Sequence, residues 1–337
     1  MTRTLCLLAA ALSLAAAQPL AAQPKLLVNA NLDTRSAGAG LEAAFKPLLT
    51  ASPQPSWIGW AVASVRSYNM NMGCEYVFRD GQAAPGQGVV HLEPPDHAII
   101  MMRVDQNAVS RIRYVSPDCE IDAGGVPMHW LTDVQPAQSV ALLATLVSER
   151  EPGNSSAMGA IAMHADASAD QALDRLAGAQ QPLSIRQRAV SLLASERGHH
   201  GFEMVKDLIA NDSDERIKER AVQSLGSSKD PAALDLLLET ARRNGNPKLR
   251  SQAIGALVRR PEPKILDTLK AAIDDPDVTV QRRAISTLNS LPDGDGIPLL
   301  IQVIKTTKNA EVRKQAMNTL QSSRDPRALA FFEDVLR

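Results

Sequence analysis

Two of the three cysteines (Cys6 falls in an expected signal segment), a His-His-x-x-Glu string, one acidic cluster and a double row of arginines are the side chains whose types and spacing bear on chemistry. His199, His200 and Glu203 stand at the entry to a helix, a spacing that can bring His and Glu onto one face. A side-chain metal site needs three or four converging ligands, so the string reads first as a polar junction between helices. Asp118, Cys119, Glu120, Asp122 and His129 crowd donor types beside Gly124 and Gly125, where the missing Cβ lets a ligand approach the backbone. They define either a ligand or catalytic site, or a turn with solvated carboxylates. Cys119 also stands as the disulfide partner of Cys74, with two free buried thiols as the alternative. In a disulfide it is neither thiolate ligand nor nucleophile. No Gly-x-Ser-x-Gly elbow, phosphate-cradling glycine loop or His-Glu-x-x-His string occurs, and neither a metal nor a cofactor is expected.

The arginines keep step with a repeated phrase. Its alanines, Ala189, Ala221, Ala253, Ala284 and Ala316, fall 32, 32, 31 and 32 residues apart. Aliphatic residues recur four before each (Ile185, Ile217, Leu249, Val280, Val312), one after (Val190, Val222, Ile254, Ile285, Met317), and as leucine four after. One helical face is therefore stacked on copies of itself, the pattern of a solenoid whose units cannot bury their apolar faces alone. Three positions before each alanine stand Arg186, Lys218, Arg250, Gln281 and Arg313; one before stand Arg188, Arg220, Gln252, Arg283 and Gln315. At about 100° per residue the first row borders the apolar stripe and the second lies on the opposite flank. The first is expected to lay its stems on the core and bridge turn carboxylates such as Asp214 or Asp277. For the second, two readings stand: the same internal ladder, or a basic surface that grips an acidic partner. The residues expected to touch a partner are Arg188, Lys218, Arg220, Arg250, Arg283 and Arg313.

Helical hairpins position these rows. The partner helices fall at 172–176, 202–209, 234–238, 265–273, 297–304 and 329–336, the last as an end cap. Joints such as Asn211-Asp212, Gly245-Asn246-Pro247, Asp275-Pro276 and Asp325-Pro326 stop one helix and begin the next. Helical spacing starts near Ala137, and Ala157, 32 residues before Ala189, marks a degenerate first repeat capped by Asn154. Upstream, β-forming runs at 57–65, 74–79, 88–93, 97–104 and 109–115 read as antiparallel strands, with a hairpin about Asp105-Gln106-Asn107-Ala108. Residues 1–22, with Arg3, an Ala/Leu run and small residues at its end, read as a secretory signal peptide. The expected organisation is that signal, a linker over 23–55 with one short helix at 41–49, a small β domain over 56–135, and an α-solenoid over 136–337.

Charge divides along the chain. Without the signal it carries about −2; from Pro182 onward 25 Lys and Arg oppose 21 Asp and Glu (net +4), and the remainder holds 10 against 16 (net −6). So modest a basic excess, with Phe202, Phe331 and Phe332 the aromatics of the repeats, argues against nucleic acid. No later apolar run is long enough to span a membrane.

The phrases Ile185-Arg186-Gln187-Arg188-Ala189-Val190, Leu249-Arg250-Ser251-Gln252-Ala253-Ile254 and Val312-Arg313-Lys314-Gln315-Ala316-Met317 resemble the second helix of short HEAT repeats, of the subtype named after phycobilisome lyases. The resemblance covers 137–337 and implies a mostly α chain, its HEAT-like hairpins preceded by a small antiparallel β domain. Proteins with this repeat include chromophore lyases, DNA-repair enzymes, enzyme regulators and exported bacterial proteins. The β domain, through Trp57-Ile58-Gly59-Trp60-Ala61-Val62 and 116–125, is similar to a domain preceding HEAT repeats in such exported proteins. The function expected is a periplasmic or secreted scaffold that binds an acidic protein or peptide. The alternative is an enzyme or small-ligand binder using the β domain. A bilin lyase follows from resemblance alone, and export counts against it.

Overall fold

A computed structural model gives the fold over residues 26–51, 53–65, 76–79, 82–85, 96–117, 119–149, 157–259, 262 and 264–335. The expected signal, the strand at 88–93, Cys74, Asp118 and the Asn154 cap lie outside these described residues.

Aromatic and β-branched residues favour the pleated, buried strands β3 (Ser56–Ala63), β6 (His97–Asp105) and β7 (Ala108–Val115), which pair antiparallel. Gln106 and Asn107, both at positive φ (50° and 62°), close β6 onto β7 in the left-handed turn that suits strand twist. The five-stranded order is β2-β9-β3-β6-β7, where β2 (Asn31–Ser36) and β9 (Pro127–Thr132) were not expected. β9 pairs parallel with both β2 and β3, so the sheet is mixed and not wholly antiparallel. Helix α1 (Leu41–Leu49) returns the chain from β2 to β3 in the same direction, and β9 inserts between them. Residues 26–49 are thus not a linker: they supply the β2 edge, α1, and β1 (Leu26–Val28), which pairs with β8 (Glu120–Asp122). Strands β4 (Tyr76–Arg79) and β5 (Gln82–Pro85) form a separate hairpin.

Both sheet faces are buried. Trp57, Ile99, Met101 and Trp130 pack on one side with Cys119 and Ile121. On the other, Ile58, Trp60, Ile100 and Met102 join a core that continues into the helices. Phe45 of α1 meets the Trp60 ring edge-on at 6.4 Å. Helices α2 (Pro136–Thr145) and α3 (Ala157–Met163) pack within this core, and Gly159 of α3 lies so close to Tyr114 that a Cβ there would stand 2.8 Å from the ring. The packing therefore runs unbroken across 135/136.

Five helices carry the repeated phrase: α5 (Leu183–Glu196), α7 (Glu215–Leu225), α9 (Pro247–Leu257), α11 (Val278–Asn289) and α13 (Ala310–Gln321). They pack in series, with α3 ahead of them. The alternate helices form the second layer: α4 (Ala167–Ala177), α6 (Gly198–Asn211), α8 (Ala232–Arg243), α10 (Lys264–Ile273), α12 (Ile297–Thr306) and α14 (Pro326–Val335). All five phrase alanines are fully buried, because their small side chains let neighbouring helices approach. Val190, Val222, Ile254 and Ile285 are covered by the next repeat, whereas Met317 in the last described phrase is only partly buried.

Candidate functional site

The row at the edge of the apolar stripe does internal work. Arg250 donates from Nε and Nη2 to the two oxygens of Asp275 at 2.8 and 2.7 Å, and from Nη1 to Asn244 O at 2.9 Å. The two side chains are only 12% and 11% exposed. Burial opposes the Asp275 charge, but Arg250 and the Asp277 N–H outweigh it and hold the carboxyl below its ordinary range. Arg186 repeats the pattern, donating to Ala177 O and to the Asp212 carboxylate. Gln281 donates to Asp275 O at 2.7 Å, and Arg313 to Thr307 O. Lys218 departs from the row and pairs with Glu215 of its own helix at 3.6 Å.

The ladder is the expected one with different acceptors. Asp214 and Asp277 instead cap the helices that follow, accepting N–H groups of Arg216 and of Thr279 and Val280. Contacts with the Arg216 side chain and N–H hold the Asp214 carboxyl at about 2. The acceptors lie two residues earlier, where Asp212 and Asp275 also take the N–H of the capping residue at 2.8 Å. Asn244-Gly245-Asn246 and Thr307-Lys308-Asn309 make the same turn. This x-spaced pair of short polar side chains, Asp212/Asp214 through Thr307/Asn309, is the signal in the sequence by which the acceptors could have been located.

The opposite row is arranged differently. Arg220 of α7 reaches back to α5, donating from Nε to Gln187 O at 3.3 Å, while Nη1 donates to Gln223 at 3.1 Å. Arg283 of α11 lies over Gly255 of α9, where a Cβ would overlap its guanidinium. Arg188 keeps Nη1 shut off from solvent without a hydrogen-bond partner. Among the described residues none of these three arginines has a carboxylate within ion-pair distance, in contrast to Arg186 and Arg250. Arg259 just after α9, Arg282 on α11 and Lys314 on α13 likewise have none among the described residues. The six expected partner contacts thus separate into Arg188, Arg220, Arg283 and Arg313, which have no carboxylate within ion-pair distance among the described residues, and Arg250 and Lys218, which pair with Asp275 and Glu215.

The other candidate donors turn to separate partners. His199 Nδ1 lies 2.9 Å from Asp230, His200 Nε2 3.1 Å from Asp174, and Glu203 pairs with Lys206. His129 Nδ1 meets Asp33 at 3.1 Å; Arg35, and then His129, hold the Asp33 carboxyl below its usual range. Asp122 instead accepts from Asn29 at 3.2 Å and from the Gly124 N–H at 2.8 Å. Among the described residues no three His, Cys, Asp or Glu side chains are grouped to hold a metal. Cys119 is buried.

A buried polar chain joins the sheet to the helices and has no periodic signature in the sequence. Trp60 Nε1 donates to Ser139 Oγ at 2.8 Å, Ser139 donates to His164 Nε2 at 2.9 Å, and His164 Nδ1 donates to Ala160 O at 2.8 Å. Burial, with a contribution from the Arg197 charge, pushes His164 down to about 4, so the ring is neutral at pH 7. Arg197 donates to the carbonyls of Ala162 and His164 and pairs with Asp170 at 2.6 Å. Ser139 and His164 are adjacent as a nucleophile and base would be. Both are fully buried and the hydroxyl is held by Trp60, so no substrate reaches them.

Stacked helical hairpins with one arginine-bearing face define an α-solenoid of the kind that presents a surface to other molecules. The HEAT-repeat profile matches residues 169–258, 202–289, 236–305 and 266–337, together half of the chain, which belongs to the HEAT-repeat family. Similar solved structures include human deoxyhypusine hydroxylase, 19% identical over 49% of this chain and 66% of that one, with a TM-score of 0.33. The Escherichia coli protein YibA is 19% identical over 50% and 64%, with a TM-score of 0.37. The complex of CpcE and CpcF of phycocyanin lyase from a Nostoc species is 21% identical over 47% and 100%, with a TM-score of 0.35. The matched part spans just under two thirds of the first two chains. No curated protein matches this chain by sequence. Among the described residues no helix is long and apolar enough to cross a membrane.

Proposed function

We propose that the chain is an exported, non-enzymatic scaffold or adaptor, and that its phrase-bearing helices take an acidic protein or peptide. One observation carries the reading: among the described residues Arg188, Arg220 and Arg283 have no carboxylate within ion-pair distance, while Arg186, Lys218 and Arg250 of the neighbouring row pair with Asp212, Glu215 and Asp275. Unopposed guanidinium groups in series attract an acidic surface and bind it at modest cost in desolvation. The net +4 of the chain from Pro182 onward supports the same sign of partner. Export is supported by the signal-like segment 1–22, and a disulfide between Cys119 and Cys74 is proposed with it. The repeat signature supports placing the short repeats in the phycobilisome-lyase subtype.

The test is a crosslinking pull-down of the full-length protein from its own envelope fraction, beside the variant R188E/R220E/R283E. The expected result is a specific acidic protein captured by the parent and lost by the variant, with the melting temperature unchanged. Capture that survives the reversal removes the arginines from the interface. A variant that unfolds assigns them to stability instead.

A further inference from the structure

We infer that the face formed by α5, α7, α9 and α11 takes its partner as an extended acidic segment whose carboxylates recur at every third residue. This deepens the function proposed above and rests on it. Packed helices stand about 8–10 Å apart, and an extended chain advances about 3.3 Å per residue, so about three residues of such a chain cross each repeat. Arginine stands on the first, second and fourth of these helices, at Arg188, Arg220 and Arg283, while the third carries the neutral Gln252. Arg220 and Arg283 lie across the seams to the preceding helix, so the charges form one track. The matching segment has acids at a starting position, three residues on and nine residues on, with a neutral residue six residues on.

An extended segment fits this face better than a helix. A helix docks by an apolar stripe, and its own backbone groups are already paired. Among the described residues, the one large apolar side chain of these four helices that is exposed is Val278, in the first turn of α11. Two positions after the alanines stand Ser191, Gln223 and Ser286, polar side chains beside the arginine track, of which Ser191 also donates to Gln187 O and Gln223 also accepts from Arg220, while Gly255 holds the third place beneath Arg283. Such groups bond the open N–H and C=O groups of an extended chain.

The test uses the full-length protein and three fluorescent dodecapeptides in a Ser/Gly background, read by anisotropy at low salt. The first carries glutamates at its first, fourth and tenth positions. The second carries the same three glutamates side by side, and the third adds a glutamate at the seventh position. The expected result is that the first binds at least about threefold tighter than the second. Gln252→Arg is expected to tighten the third by about fivefold and leave the first unchanged. Equal binding of the spaced and clustered peptides, or an equal effect of Gln252→Arg on all three, overturns the register and leaves the acidic-partner reading standing. Failure of every peptide to bind above an uncharged control, with the pull-down also empty, removes both.

Discussion

His164 is neutral because it is fully buried and its two nitrogens are committed in opposite senses, Nδ1–H to Ala160 O and Nε2 to the Ser139 hydroxyl. In the unfolded chain it takes a proton near 6.5; in the folded chain only near 4. Between those values the unfolded state binds more protons, so its contribution to stability is complete above about pH 6.5 and is lost as pH falls to 4. The full loss is on the order of 3 kcal/mol. Urea unfolding at pH 7.5 and 4.5 measures it, and His164→Gln, which keeps a donor and an acceptor but does not titrate, is expected to flatten that pH dependence. An unchanged slope in the variant assigns the acid sensitivity to another group. The Ala160–His164 contact has helical spacing, but Trp60, Ser139 and His164 come from β3, α2 and the residue after α3, and only the tertiary fold joins them. The arginine rows were legible because a period of about 32 residues sets each residue's orientation, but which row is neutralised depended on carboxylates about 25 residues further on.

At the scale of the elements, two glycines fix how the hairpins close. Gly201 of α6 and Gly296, just before α12, each lie eight residues after a phrase leucine. A Cβ at either would overlap the carbonyl oxygen of that leucine, Leu193 or Leu288. The obstacle is backbone, which yields only by moving a helix, so Gly201→Ala and Gly296→Ala are each expected to cost about 1–3 kcal/mol. Gly245→Ala, with nothing within 4 Å of the added carbon, is the control and is expected to be neutral. Chemical denaturation of the three variants decides it. The helices were readable because their apolar stripe recurs and their ends carry Asp, Asn, Gly and Pro. Strand β2, Asn31–Ser36, was not, since it is a largely exposed edge with little to alternate. β1 and β8 have three residues each, too few for a period to show. Parallel pairing of β2 and β3 with β9 joins residues some 70 to 100 apart, and nothing local announces it.

For the whole molecule, the decisive fact is that one apolar core passes from the sheet through α2 and α3 into the repeats. The solenoid expected at 136–337 is therefore not an independent unit: removing the sheet uncovers Ser139, Leu143, Met158 and Ile161, all buried in the full chain. A 136–337 fragment is expected to melt well below the full chain and to bind a hydrophobic dye. A fragment as stable as the parent refutes the shared core. Along the solenoid the straps are uneven. Arg186 ties α5 to the junction entering α7, and Arg250 ties α9 to the junction entering α11, but Lys218 of α7 turns to its own helix and sends nothing forward. The α7–α9 seam keeps its apolar packing and an exposed Asn246–Glu215 hydrogen bond. In mechanical terms strapped seams alternate with unstrapped ones, since Lys218 of α7 and Gln281 of α11 both fail to reach forward, and a load along the rod is expected to bend it first at the α7–α9 and α11–α13 seams.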